Sequence, residues 1–345
     1  MPPRMRWATD ASQNRGLKMP IFSRVPAIRP LKVSWKLSGS VLGQRWDVLA
    51  NAQCLVFGHA FDDSVDNLAW CSELKRLEFG CAFNRAVDSM SWPGSLRQLT
   101  FGHSFNKPIA KLVWPASLEQ LTFRNVFNQP IDSVAWPPSI QRLTFGFYFN
   151  RSIKTVVWPV SLRQLTFGQS FNQPIDGVMW PASLLQLTFG FYFNQPIDSA
   201  VLPASLELLA FGHCFNLAIN GVTWPAHLQQ LTFGSRFNQP IEKVKWPASL
   251  QQLTFGNRFN QPIENVEWPA SLQQLTFGLV FDQPIDEVVW PVSLQQLTFG
   301  RDFHLALDGV KWPAGLKGLA LARPPGSPLP AWPGVEVSRV WEDWY

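Results

Sequence analysis

The sequence predicts a mainly β solenoid in which twelve 22-residue coils stack on a parallel β ladder, with few or no helices between them. Phe recurs at 57, 79, 101, 123, 145, 167, 189, 211, 233, 255, 277 and 299, a constant spacing of 22 with no insertion. The residues leading into each Phe alternate apolar with polar, as in Leu272-Gln-Gln-Leu-Thr-Phe277, the pattern of a strand with one buried face. Pro stands often seven and almost always fourteen residues after that Phe. The six residues left between them make less than two helical turns, whereas an isolated helix needs about 12–15 residues to be even marginal.

With the recurrent Phe as coil position 1, the coil reads Phe-Gly-x-x-Phe-Asn-Gln-Pro-Ile-Asp-x-Val-x-Trp-Pro-Ala-Ser-Leu-Gln-Gln-Leu-Thr. A period of 22 lies within the range of leucine-rich repeats, so the solenoid is leucine-rich-repeat-like. Positions 1, 5, 9, 12, 14, 18 and 21 are apolar in nearly every coil. Seven apolar side chains cannot offset the ordering of a whole coil, so neighbouring coils must complete the burial. The Trp column from Trp70 to Trp312, interrupted by Leu202, is accordingly read as core. Val-x-Trp at positions 12 to 14 suggests a short second strand or an extended arc. Asn at position 6 is expected to bond backbone groups of its own or the next coil. Gly at position 2 is expected to supply unusual dihedrals on leaving the strand, with its one replacement, Arg124, a local irregularity.

Three regions follow. Residues 1–48 form a basic N-terminal segment, either a disordered arm, a cap or a transit peptide. Residues 49–322 form the repeat solenoid, opened by an imperfect coil from Trp46 to Phe57 and continued by Leu319-Ala-Leu321. Residues 323–345 form a Pro-rich C-terminal cap, with a closing strand over Val335–Val340 and Trp341, Trp344 and Tyr345 covering the exposed core.

Composition limits the function. Apolar residues make up 46% of the 345 and charged residues 15%, so the chain can bury a large core. Residues 1–48 hold nine Lys or Arg against Asp10 and Asp47, a net of +7, and the remainder holds twenty against twenty-two, a net of −2. The repeats therefore lack the basic surface that nucleic-acid binding needs. No stretch approaches the roughly 20 apolar residues of a membrane helix. Cys54, Cys71, Cys81 and Cys214 have no CxxC spacing and read as reduced thiols, which makes a cytoplasmic protein the expectation. An organelle is the alternative if residues 1–45 are a transit peptide.

No catalytic residue, metal site or cofactor is expected. Polar residues form columns of like groups, whereas catalysis needs unlike groups that converge. His59, His103 and His213 share position 3, but the nearest two are separated by two coils, about 9–10 Å, and no partner is evident for His213 or His304. The acidic column at position 10, Asp66, Asp88, Asp132, Asp176, Asp198, Glu242, Glu264, Asp286 and Asp308, is read as local turn capping, with calcium bridging the alternative. Thr at position 22 and Gln at position 20 should face outward on the ladder. A regular Thr array suggests ice binding, but its spacing is Gln-x-Thr.

Phe-Asn-Gln-Pro-Ile at 127–131, 171–175, 193–197, 237–241 and 259–263, set between Leu-x-Phe-Gly and Trp-Pro-x-Ser-Leu, resembles the FNIP repeat, a relative of the leucine-rich repeat. The resemblance covers about 57–320. Its Asn128 lies five residues after Phe123, where a standard leucine-rich repeat has three, so the turn should differ from the familiar horseshoe. The resemblance implies a non-enzymatic protein-interaction scaffold that presents an extended surface to a protein partner. Many such proteins also carry an F-box for ubiquitination adaptors, but residues 1–48 show no helical Leu/Ile pattern of that kind. The alternatives are a ligand-binding solenoid for glycan, ice or calcium, or an adaptor without a recognisable F-box.

Positions 3 and 4 vary most against the copied background. They carry Phe147-Tyr148 and Phe191-Tyr192 around the polar pair Gln169-Ser170, with Arg236 and Arg258 further along. Tyr and Arg are favoured at binding centres, so Phe147, Tyr148, Phe191, Tyr192, Arg236 and Arg258 are the interaction candidates. The competing reading tucks these aromatics into the turn.

Overall fold

The computed structural model describes residues 52–66, 68, 70–307, 309–321 and 334–339. The basic N-terminal segment, most of the Pro-rich C-terminal cap with Trp341, Trp344 and Tyr345, and Asp308 of the acidic column lie outside these residues. Fourteen short strands follow one another: β1 Cys54–Val56, β2 Arg76–Glu78, β3 Gln98–Thr100, β4 Gln120–Thr122, β5 Arg142–Thr144, β6 Gln164–Thr166, β7 Gln186–Thr188, β8 Leu208–Ala210, β9 Gln230–Thr232, β10 Gln252–Thr254, β11 Gln274–Thr276, β12 Gln296–Phe299, β13 Gly318–Leu321 and β14 Glu336–Arg339. They form one parallel sheet in sequence order, and no helix occurs among the described residues. Gln164 faces Gln186, one coil on, and the same offset holds from β1 through β13. The closing strand lies within the expected span and pairs Gly318 with Glu336, a shorter step.

Each coil closes through three tight turns. The amide of position 5 donates to the carbonyl of position 2 in every coil but that of Phe277, that of position 12 to position 9, and that of position 18 to position 15, as in Phe193 to Gly190, Val178 to Ile175 and Leu184 to Pro181. Position 15 is the acceptor in its turn, so Pro costs no donor there and stops any helix from forming. Val-x-Trp lies in the extended arc between the second and third turns and forms no second strand.

The Leu at positions 18 and 21, the Phe at positions 1 and 5 and the Ile at position 9 are almost wholly buried and form one continuous core. Phe189 and Phe193 stack within one coil at 3.9 Å between ring centroids, and Phe193 stacks on Phe215 of the next at 6.2 Å. The Trp column forms the outer edge of this core: Trp114, Trp158, Trp224 and Trp290 are buried, and Trp92, Trp136, Trp180, Trp246 and Trp268 are half-buried against it.

The position-2 glycines have a different reason from the one expected. Positive φ angles occur at Gly177, Gly309 and Gly334, none of them at position 2. Adjacent coils instead touch backbone to backbone there, and a Cβ on Gly190 would overlap the carbonyl oxygen of Gly168. Arg124, the exception, leaves the ladder unbroken on both sides, and its guanidinium pairs with Glu78 two coils back at 2.6 Å.

Two consequences are measurable. Far-UV circular dichroism of the repeat region should carry no helical signature. In equilibrium denaturation, Phe193→Ala should cost about 3–5 kcal/mol and Gly190→Ala about 1–3 kcal/mol or more, from cavity and overlap respectively. Val157→Ala, on a side chain 79% exposed, should change stability by less than about 0.5 kcal/mol.

Candidate interaction surface

Two kinds of coil-to-coil bond explain which side chains are free to vary. The amide of position 4 donates to the carbonyl of position 3 in the preceding coil, at 2.8 Å for Tyr148 to Asn125 and for Tyr192 to Gln169. That bond uses backbone alone, so the side chains of positions 3 and 4 have no framework duty. At position 6 the acceptor is a side chain. Asn172 Oδ1 accepts the Asn194 amide at 2.9 Å, and the same bond runs unbroken from Asp62 to His304. Of the two bonding modes expected for this Asn, the structure uses the one to the next coil. Gln at position 7 reinforces the row, as Gln195 Nε2 donates to Asn172 Oδ1 at 3.1 Å.

The freed positions carry the sequence candidates, and the structure leaves them in solvent rather than tucked into the turn. Phe147, Tyr148, Phe191 and Tyr192 are 41%, 54%, 37% and 51% exposed. Within each pair the rings meet at 4.8 Å between centroids and an open angle. The pairs belong to β5 and β7 coils, about 10 Å apart, and do not touch each other. Phe191 is joined by a residue for which the sequence showed no partner: the His213 ring stacks on it at 4.3 Å, with 2° between planes. Arg236 and Arg258 follow, both exposed. Burial against its neighbours, and then the charges of Arg236 and Arg258, hold the His213 pKa below its ordinary value. The row thus passes from paired aromatics through a neutral stacked imidazole to two guanidiniums.

Two further features lie outside the sequence candidates. Between His59 and His103, Cys81 occupies position 3 of the intervening coil, with Sγ 3.0 Å from His59 Nδ1 and 3.1 Å from His103 Nδ1. On another flank, position 13 presents Val113, Val157, Met179 and Val201, each about 80% exposed. The run Val-Ala-Val-Met-Val at one coil position was the signal for it.

Among the described residues of the acidic column no convergent chemistry appears. Asp176 pairs with Lys154 at 3.1 Å. Asp66 accepts from the hydroxyls of Ser64 and Ser89, which lower its pKa. Among the described residues no group of three or more His, Cys, Asp or Glu side chains is placed to hold a metal ion, and no helix is long and apolar enough to cross a membrane.

Among solved structures the chain is similar to CroV588, described as a novel circular leucine-rich-repeat protein. The two are 37% identical over 84% of this chain and 46% of that one, with a TM-score of 0.73. It is also similar to the Toll–Spatzle complex of Drosophila, at 14% identity over 80% of this chain and 43% of that one, with a TM-score of 0.58, a likeness of fold alone. The chain spans about half the length of each of these proteins. No significant match was found among curated protein sequences. The FNIP repeat profile matches residues 83–126, 127–170, 171–214, 215–258 and 259–302, each hit two coils long and the five contiguous. The chain belongs to the FNIP repeat family.

Proposed function

We propose that the protein is a non-enzymatic interaction scaffold that binds an extended segment of a protein partner across the β5 to β10 coils. One observation carries this reading. Four aromatic side chains, each more than a third exposed, stand at positions whose coil-to-coil bond needs no side chain. Exposed Tyr beside Arg is the composition of binding centres. Equivalent positions two coils apart lie about 10 Å from each other, so one extended chain of three or four residues reaches both aromatic pairs. Arg236 and Arg258 favour acidic residues at the end of that segment beyond Tyr192. The kinship with leucine-rich-repeat folds supports the reading at the level of the scaffold, and the residues named here supply the site.

Tyr148→Ala combined with Tyr192→Ala should weaken capture of the protein's partner by at least about 2 kcal/mol without lowering the melting temperature. A variant that melts early would place these rings in the core. One that is stable and binds every partner of the parent would remove the site from this flank.

His213 gives the surface a pH dependence. Folding holds its pKa below the ordinary 6.5, so the contribution of the neutral ring is complete above that value and is lost as pH falls through the lower folded value. From about pH 7 to about pH 5 the parent should therefore lose more thermal stability than His213→Gln, read as the difference between their melting curves. Equal losses would show that the stacked ring is not coupled to folding.

A further inference from the structure

Cys81 is flanked by an imidazole from the coil before it and another from the coil after it, each with Nδ1 within hydrogen-bond distance of Sγ. A neutral imidazole accepts at one ring nitrogen and donates at the other. One ring can therefore take the thiol proton while the second donates to the sulfur, which is the arrangement of a nucleophile with its base. Cys81 and His59 also line a cleft of about 410 Å³, whose walls include Cys54, Arg76, Glu78 and Arg124. Glu78 accepts from Arg124 at 2.6 Å and from Arg76 at 3.2 Å. Two guanidiniums against one carboxylate leave the cleft with one net positive charge beside the sulfur.

The repeat framework demands none of these residues. Position 3 of other coils carries Asn125, Gln169 and Ser235, and Arg124 stands where every other coil has Gly. The second thiol of the cleft, Cys54, has its pKa pushed up by burial.

We propose that Cys81 is a covalent modification site that takes small carbon electrophiles bearing a carboxylate, α,β-unsaturated carboxylates among them. The sulfur bonds to the β-carbon as the π electrons move to the α-carbon. The thiol proton passes to the Nδ1 of His59 or His103 and returns to the α-carbon, so no further reactant is needed. The carboxylate rests toward Arg124 and Arg76. The site is independent of the aromatic surface, which lies several coils away.

Alkylation of the full-length native chain tests this, with each cysteine followed by peptide mass spectrometry. Cys81 should react with iodoacetamide at least about tenfold faster than Cys214, since a positioned base typically contributes about 10²–10⁴-fold. His59→Gln with His103→Gln should remove that advantage, and Gln169 shows that glutamine already occupies position 3 without disturbing a coil. The parent should also prefer iodoacetate to iodoacetamide at Cys81, and Arg124→Gly, which restores the common residue, should abolish the preference. Unchanged circular dichroism and melting curves in these variants would show that the fold is retained. If Cys81 reacts no faster than Cys214, if the double His variant keeps the parent rate, or if the anionic reagent has no advantage, the proposal is overturned.

Discussion

The coil-to-coil hydrogen bond at position 6 is the interaction on which the rest of the structure depends. Where the chain turns off the Phe at position 5, backbone carbonyls of the preceding coil do not meet the amide, and a side-chain oxygen supplies the acceptor instead. Asn84, Asn106, Asn128, Asn150, Asn172, Asn194, Asn216, Asn238 and Asn260 each do so for the coil that follows. The acceptor must sit one coil away in every case, so any insertion within a coil would break the bond above or below it. Asp62 and Asp282 serve the same purpose with one carboxylate oxygen, which shows that the required feature is the acceptor and its reach. A second side-chain bond does the same on the far side of the coil, where Ser at position 17 donates to the carbonyl of position 18 in the coil before, as Ser183 does to Leu162 at 2.8 Å.

Around this fixed offset the aromatic columns set the shape. Parallel strands run about 4.8 Å apart. Ring centroids lie 5.8 Å apart from Phe167 to Phe189, 6.1 Å from Phe171 to Phe193 and 6.3 Å from Trp158 to Trp180. Each coil is a wedge with its narrow edge at the strand, so the stack bends with the ladder on its inner side. The Trp edge carries a cost. The indole N–H groups of Trp92, Trp114, Trp136, Trp158, Trp180, Trp224, Trp246, Trp268 and Trp290 are buried without a hydrogen-bond acceptor. Leu202 marks the one coil without that donor, and it is buried as Trp224 is. Stacking and burial of the ring, repeated coil upon coil, offset the donor that each Trp brings.

Much of this architecture was legible because a column is a repeated experiment on one environment. Leu at positions 18 and 21 and Phe at positions 1 and 5 could be assigned to the core from sequence alone, and the strands lie where Gln-Leu-Thr alternates. The exposed Phe147, Tyr148, Phe191 and Tyr192 were visible as departures from the copied pattern, although the sequence could not separate an exposed ring from one folded into the turn. That distinction depends on the position 4 amide having a backbone acceptor, which only the geometry reveals. The position-2 Gly misled because sequence reasoning looks for torsional freedom within a chain, whereas the constraint comes from the carbonyl of Gly168 pressing on Gly190 across the stack. Cys81 was missed for a related reason. Matching His59 with His103 sought like residues in a column, and the chemistry lies in an unlike residue between them.

The claim that a side-chain ladder fixes the register, leaving neighbouring side chains free for recognition, can be tested through hydrogen exchange at residue resolution. The amides of Asn172, Asn194 and Asn216 should be as protected as the ladder amide of Leu187, because each bonds to the coil before it. Rapid exchange at these Asn amides, with Leu187 protected, would show that the coils are held by the strands alone and would contradict the ladder.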